Sequence, residues 1–274
     1  MLTKSLTTLV LLLLAVFLLA RWQEKHAVFF PTREFLGEPS HFGLKYEDVY
    51  FTAGPGVKLH GWYVKGSTDT TVLWLHGNAG NISDRVEILV SMTRNLGVSS
   101  LLFDFRGYGK STGKPSEEGL YSDAEAAFDW LVKEKKTDAG SVIAYGHSLG
   151  SAVAVDLAVR EKGKLGGIVL ESPFTNAKEV ARMIYRGLPV DLLMTMKLDN
   201  IGRINEIDTP LLIIHGDNDE VIPFSMGQKL YEAAPEPKSF LKVPGAHHSD
   251  NYAVGGEIYW NAWRDFLSSI EERK

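Results

Sequence analysis

Apolar positions along this chain fall into two spacings that alternate from Tyr46 to the end. Short runs rich in aliphatic and β-branched residues, Thr71 to Leu75, Ser99 to Phe103, Ser141 to Tyr145, Gly167 to Leu170 and Leu211 to Ile214, read as parallel strands buried on both faces. Val49 to Thr52 and Lys58 to Val64 flank Ala53-Gly54-Pro55-Gly56 and predict an opening antiparallel hairpin, and Phe240 to Val243 predicts a last strand. Between the strands the spacing becomes helical. Leu120, Ala124, Ala127, Phe128 and Leu131 share one helix face, with Ser116 as N-cap and Glu117 and Glu118 in the first turn; Tyr259, Trp263, Phe266, Leu267 and Ile270 repeat the stripe in the last helix. Strands alternating with helices predict an α/β fold, a mostly parallel central sheet with helices on both faces. The alternation pauses between Pro173 and Asp208, where a cap of one or two helices over the sheet edge is expected. Met183, Met194 and Met196 lie among leucines there, either as a pliable apolar wall for an acyl chain or as ordinary packing.

The first residues break the pattern. From Leu6 to Ala20 the chain is almost wholly aliphatic, and it then meets Arg21, Trp22 and Lys25. An uninterrupted helix from Leu2 to Trp22 would extend about 30 Å, enough to cross a bilayer. Lys4 and the apolar run also fit a secretory signal, but Leu18-Leu19-Ala20 is a poor cleavage site. Residues 1–27 are therefore expected to be an uncleaved membrane anchor preceding one folded domain, residues 28–274. The alternative is a secreted or periplasmic protein after signal cleavage.

Composition narrows the chemistry. The formal net charge of -5 over 274 residues comes from interspersed charges, and no basic cluster is interleaved with aromatics, which argues against a nucleic-acid partner. There is no cysteine, so disulfides, thiolate zinc sites and cysteine nucleophiles are excluded. His76-Gly77-Asn78-Ala79-Gly80-Asn81 fits neither a dinucleotide fingerprint nor a P-loop. No cofactor or metal is expected.

What remains is a nucleophilic serine. Gly146-His147-Ser148-Leu149-Gly150 lies between an apolar strand and the helix-forming run Ala152 to Arg160, the setting of a strained strand-turn-helix elbow that lifts Ser148 Oγ out of the sheet. A serine hydroxyl needs a histidine to take its proton and an acid to orient that histidine. Leu211 to Ile214 empties into His215-Gly216-Asp217-Asn218-Asp219, so Asp219 is the expected acid, with Asp217 as an alternative that could instead cap the loop and Glu171 as a remote third. His247 and His248, after the last strand, supply two candidate bases, while His60 and His215 are expected to be structural. The backbone amides of Asn78, in the turn after Thr71 to Leu75, and of Leu149 are the candidate oxyanion donors.

Taken in order, the His76 turn, Asp104-Phe105-Arg106-Gly107-Tyr108-Gly109-Lys110-Ser111, the Ser148 pentapeptide, the His215–Asp219 loop and Gly245-Ala246-His247-His248 resemble the motifs of the α/β-hydrolase superfamily. The Arg-Gly-Tyr-Gly-Lys-Ser run, Pro115-Ser116-Glu117-Glu118-Gly119 and Phe30-Pro31 behind an apolar segment are similar to the Bem46-like branch, and the likeness covers nearly everything from Val28 onward. The resemblance implies Ser148 as nucleophile, Asp219 as acid and His248, rather than His247, as base. Within Asp104 to Ser111 it implies a structural loop, with Arg106 bracing carbonyls and carboxylates and Gly107 and Gly109 permitting a turn. The expected protein is a membrane-anchored serine hydrolase cleaving esters, thioesters or small amides through an acyl-enzyme. Its substrates would be small-molecule or lipid-like acyl compounds, as for a carboxylesterase, thioesterase or lysophospholipase, with peptidase ranked behind these. Acyl transfer on the same scaffold and a membrane-tethered protein without catalysis are the alternatives.

Overall fold

The computed structural model describes residues 26–273 together with Thr7, Leu11 and Glu24. In chain order the strands are β1 (Phe30–Pro31), β2 (Glu47–Ala53), β3 (Val57–Val64), β4 (Thr71–Leu75), β5 (Ala79–Gly80), β6 (Ser99–Asp104), β7 (Val142–His147), β8 (Gly167–Glu171), β9 (Leu211–Gly216) and β10 (Lys238–Val243). The helices are α1 (Val86–Leu96), α2 (Glu117–Lys133), α3 (Leu149–Arg160), α4 (Ala177–Ile184), α5 (Val190–Leu193), α6 (Phe224–Ala233), α7 (Asn251–Gly255) and α8 (Glu257–Glu271). Eight strands form one sheet in the order β10-β9-β8-β7-β4-β6-β3-β2, parallel from β10 to β6 and antiparallel at β3.

The continuous apolar runs are explained by a core on each side of this sheet. Along β4, Leu73 and Leu75 enter the layer under α2, α3 and α6, while Val72 and Trp74 enter the layer under α1 and α8. Successive side chains of a strand point to opposite faces, so burial on both faces leaves no polar alternation to see. Ser116 caps α2 as expected, its hydroxyl accepting from the Gly119 amide at 3.2 Å.

Strand order decides where chemistry can be assembled. The turns after β4, β7, β8, β9 and β10 all leave the C-terminal edge of the parallel strands, and β7 lies between β4 and β8 in the middle of the sheet. The cap consists of α4 and the short α5. A small two-stranded sheet not expected from the sequence pairs β1 with β5, so the first residues of the domain are stitched to the turn after β4. No helix among the described residues is long and apolar enough to cross a membrane. The expected anchor, residues 1–27, lies largely outside the described residues.

Candidate active site

Two glycines shape the turn after β7. A Cβ on Gly146 would come within 2.4 Å of the Gly150 carbonyl, and one on Gly150 within 1.8 Å of the Leu75 carbonyl, so only glycine lets β7, α3 and β4 approach this closely. Ser148 takes the strain, with φ 50° and ψ -115°. A non-glycine residue held there is costly and is found where a site requires it. The seat is fixed by hydrogen bonds from the Ser148 amide to the Glu171 carbonyl and from Ser151 Oγ to the Ser148 carbonyl. The serine is only 8% exposed.

The acid loop follows β9, two strands from β7 and therefore about 10 Å away. His248, delivered from beyond β10, spans the gap. Its Nδ1 lies 2.8 Å from Asp219 Oδ2 and its Nε2 lies 3.0 Å from Ser148 Oγ. An ionised carboxylate can only accept, so Nδ1 carries the hydrogen and Nε2 presents a lone pair to the hydroxyl. Burial alone would push the Asp219 carboxyl up. Hydrogen bonds from His215 and His248, the charge of His248 and the Ile222 amide outweigh it and hold the group well below the usual carboxylate range.

The other candidates are placed elsewhere. Asp217 Oδ1 accepts from the Gly245 amide at 2.6 Å and Oδ2 pairs with Lys242, so it caps the loop. His247 points outward, its Nδ1 at 2.8 Å from Glu220 and its Nε2 at 3.1 Å from Asn218. Glu171 gives its carboxylate to Tyr145, Tyr259 and Asn251; burial pushes its pKa up. It stands under the site as structure: Asn251 also donates to Ser172 Oγ, which in turn donates to the His248 carbonyl at 2.9 Å.

Two histidines do more than the sequence reading expected. His215 Nε2 lies 3.2 Å from Asp219 Oδ2 and 3.0 Å from the Ile222 carbonyl; both partners accept, so Nε2 carries a hydrogen and His215 donates into the acid. His147 donates from Nε2 to the His248 carbonyl at 3.1 Å, and its ring lies 5.2 Å from that of His248. Burial, then the charge of His248, pushes its pKa down to about 3, which keeps this neighbour uncharged. A histidine in an elbow carries no motif of its own beyond the G-x-S-x-G pattern.

On the far side of Ser148, Asn78 and Leu149 both line the same cavity. Leu149 is the first residue of α3, whose initial amides have no acceptor within the helix. The Asn78 carbonyl accepts from Tyr108 Oη and from the Phe30 amide, which orients the turn. Asp104 Oδ1 receives the Ile82 amide, and a Cβ on Gly109, at φ 45°, would overlap Asp104 Oδ2 at 1.9 Å. Arg106 does brace a carboxylate, holding Asp123 at 2.6 Å and 2.9 Å. The expected bond from Arg106 to loop carbonyls is made instead by Arg33, which donates to Gly109 and Ser111. That departure follows from β1 and the residues after it lying against the loop.

The cavity over Ser148 has a volume of about 770 Å³, within the range that holds small ligands. Its cap wall is apolar, with Phe174, Val180, Ile184, Leu188, Leu193 and Met194, and Ala27 and Val28 line it as well. Of the three methionines, Met194 faces the cavity, Met196 is buried in the core and Met183 is exposed, so wall and packing share the segment.

A mostly parallel sheet carrying a serine elbow after its central strand, with an acid and a histidine turn after later strands, is the architecture of the α/β hydrolases. The chain belongs to that family. Residues 66–200 match the family profile described as serine aminopeptidase, S33. The chain is 38% identical to Rv2307c of Mycobacterium tuberculosis over 90% of its own length and 88% of the relative's. Identity to the Arabidopsis thaliana alpha/beta hydrolase domain-containing protein WAV2 is 31%, over 94% and 92%. For the Saccharomyces cerevisiae membrane protein YNL320W it is 32%, over 86% and 84%. Among solved structures the esterase Pf2001 of Pyrococcus furiosus superposes with a TM-score of 0.74 at 24% identity, covering 88% of this chain and 97% of that one, a likeness of fold.

Proposed function

We propose that this α/β hydrolase is a serine hydrolase that cleaves acyl esters or thioesters through a covalent acyl-enzyme. The observation that carries the reading is the continuous relay from Ser148 Oγ through His248 to Asp219, at 3.0 Å and 2.8 Å. Ser148 Oγ attacks the acyl carbonyl while His248 Nε2 takes its proton. Asp219, ionised and fixed by His215 and the Val221 and Ile222 amides, holds His248 in the required tautomer and steadies the imidazolium. The amides of Asn78 and Leu149 receive the oxyanion, His248 returns the proton to the leaving group, and water repeats the sequence to release the acid. The apolar cavity supports an acyl chain as the recognised part. The apolar run Leu6 to Ala20 anchors the protein in a membrane, a reading supported by its composition and by a yeast relative named as a membrane protein.

Labelling by a fluorophosphonate probe and turnover of p-nitrophenyl esters test the proposal. Ser148→Ala should abolish labelling and lower turnover by about 10⁴-fold or more. Full activity or undiminished labelling in that variant would sink it.

A further inference from the structure

The cap is apolar on the outside as well as the inside. Ile184 and Leu188 line the cavity and yet are 63% and 59% exposed, so they form its rim. Beside them Leu192 is 77% exposed, and Met183 and Tyr185 also face solvent. A soluble surface rarely gathers large apolar side chains this densely without something to cover them. Charges on the same segment are Lys178, Arg182 and Arg186 against Glu179 and Asp191, so the face does not repel anionic headgroups.

The N-terminal segment says what covers it. Glu24 and Val28 line the cavity along with the cap, and the Glu24 carboxylate accepts from the Thr195 amide, Thr195 Oγ1 and the Met196 amide. That clamp fixes where the chain reaches the domain. Only Arg21, Trp22 and Gln23 separate Glu24 from Ala20, the last residue of the aliphatic run. Four peptide links extend at most about 14 Å. With Leu6 to Ala20 in a bilayer, Glu24 cannot stand farther than that from the end of the run, and the cavity that Glu24 shares with Ile184 and Leu188 is held on the membrane side of the domain.

We propose that the outer face of the cap, around Ile184, Leu188 and Leu192, is a bilayer-docking surface through which an acyl chain resident in the membrane passes into the cavity. The inference rests on the membrane-anchor reading for its geometry and on the serine-hydrolase reading for its substrate class, but its docking half can be read without catalysis. The chain has no cysteine, so Leu192→Cys and, in the turn after the C-terminal end of α3, Lys162→Cys can each carry a single environment-sensitive fluorophore. The full chain, made inactive by Ser148→Ala, is reconstituted in phosphatidylcholine vesicles with and without phosphatidylserine. Docking is expected to shift the label at 192 to the blue and expose it to quenching by doxyl lipids, while the label at 162 responds only to aqueous iodide. A label at 192 open to iodide and untouched by doxyl lipid overturns the proposal, and so does one shielded from both, which would mean protein covers the face.

For the substrate half, Met183→Glu combined with Leu192→Glu alters outward-facing side chains and leaves the cavity lining intact. Turnover of a long-chain ester carried in the vesicles should fall about tenfold, with turnover of a soluble butyrate ester unchanged. Equal turnover of the long-chain ester by variant and parent overturns delivery from the bilayer. Turnover persisting in Ser148→Ala would instead remove the hydrolase reading and leave the label result standing.

Discussion

Of two adjacent histidines only one can face the serine, because consecutive side chains on this loop diverge. His247 pairs with Glu220 and Asn218 at the surface, while His248 lies between Ser148 and Asp219. His248→Ala is therefore expected to lose esterase turnover and His247→Ala to keep it; the reverse result in steady-state kinetics would reassign the base. The acid loop makes the same kind of distinction. Asp219→Asn should cost about 10⁴-fold in kcat, since an amide can donate to Nδ1 and so favours the wrong tautomer. Asp217→Asn should leave kcat at the parent value, because its partners are Gly245 and Lys242. His215→Phe separates a packing role from a polar one: it keeps an aromatic ring at the position but withdraws a donor from Asp219, and a lowered kcat with an unchanged KM is the expected signature.

At the scale of elements, the turn after β4 carries an acid-labile joint. His76 Nδ1 donates to the Gly77 carbonyl at 2.7 Å and Nε2 accepts the Phe105 amide at 3.3 Å, so a second proton would set one N–H against another. Burial, helped by the charge of Arg85, pushes its pKa down to about 3. The unfolded value is ordinary, near 6.5. Between these two values the unfolded chain binds more protons than the folded one. The contribution of His76 to stability is thus complete above about pH 6.5 and falls with pH by up to about 1.4 kcal/mol per unit toward pH 3. His76→Gln removes this slope. Urea unfolding of both proteins from pH 4 to 7 should show the parent losing stability relative to the variant as pH falls, and parallel curves would contradict the buried neutral imidazole. The strands and the Ser148 elbow were legible in the sequence because burial on both sheet faces leaves continuous apolar runs and the two elbow glycines mark close backbone approach. The pairing of β1 with β5 was not, since two residues carry no period. The Glu171 support was not either: Tyr145, Glu171, Asn251 and Tyr259 meet only after the sheet has brought β7, β8, α7 and α8 together.

Across the whole molecule, the wall of the cavity is built from the two least regular parts of the chain, the segment around Glu24 to Val28 and the cap. Neither has a core of its own: α5 is four residues long, and the exposed side chains of α4 contribute little burial. Their relative position therefore depends on the bonds between them, of which the Glu24 carboxylate supplies those to Thr195 and Met196. The proposed relay from Ser148 through His248 to Asp219, by contrast, follows β7, β9 and β10 and does not use this clamp. Glu24→Ala should consequently separate binding from chemistry. The variant loses three hydrogen bonds to the carboxylate, and a net cost of about 1.4 kcal/mol, once water solvates the freed donors, corresponds to a rise of about tenfold in KM for esters long enough to reach the cap wall. Acetate esters, which occupy only the space beside Ser148, should keep both kcat and KM. Steady-state kinetics of parent and variant across a series from acetate to dodecanoate measure this directly. A uniform loss at every chain length would mean that the clamp supports the relay itself, and no change at any length would mean that the cap holds its position without the N-terminal segment.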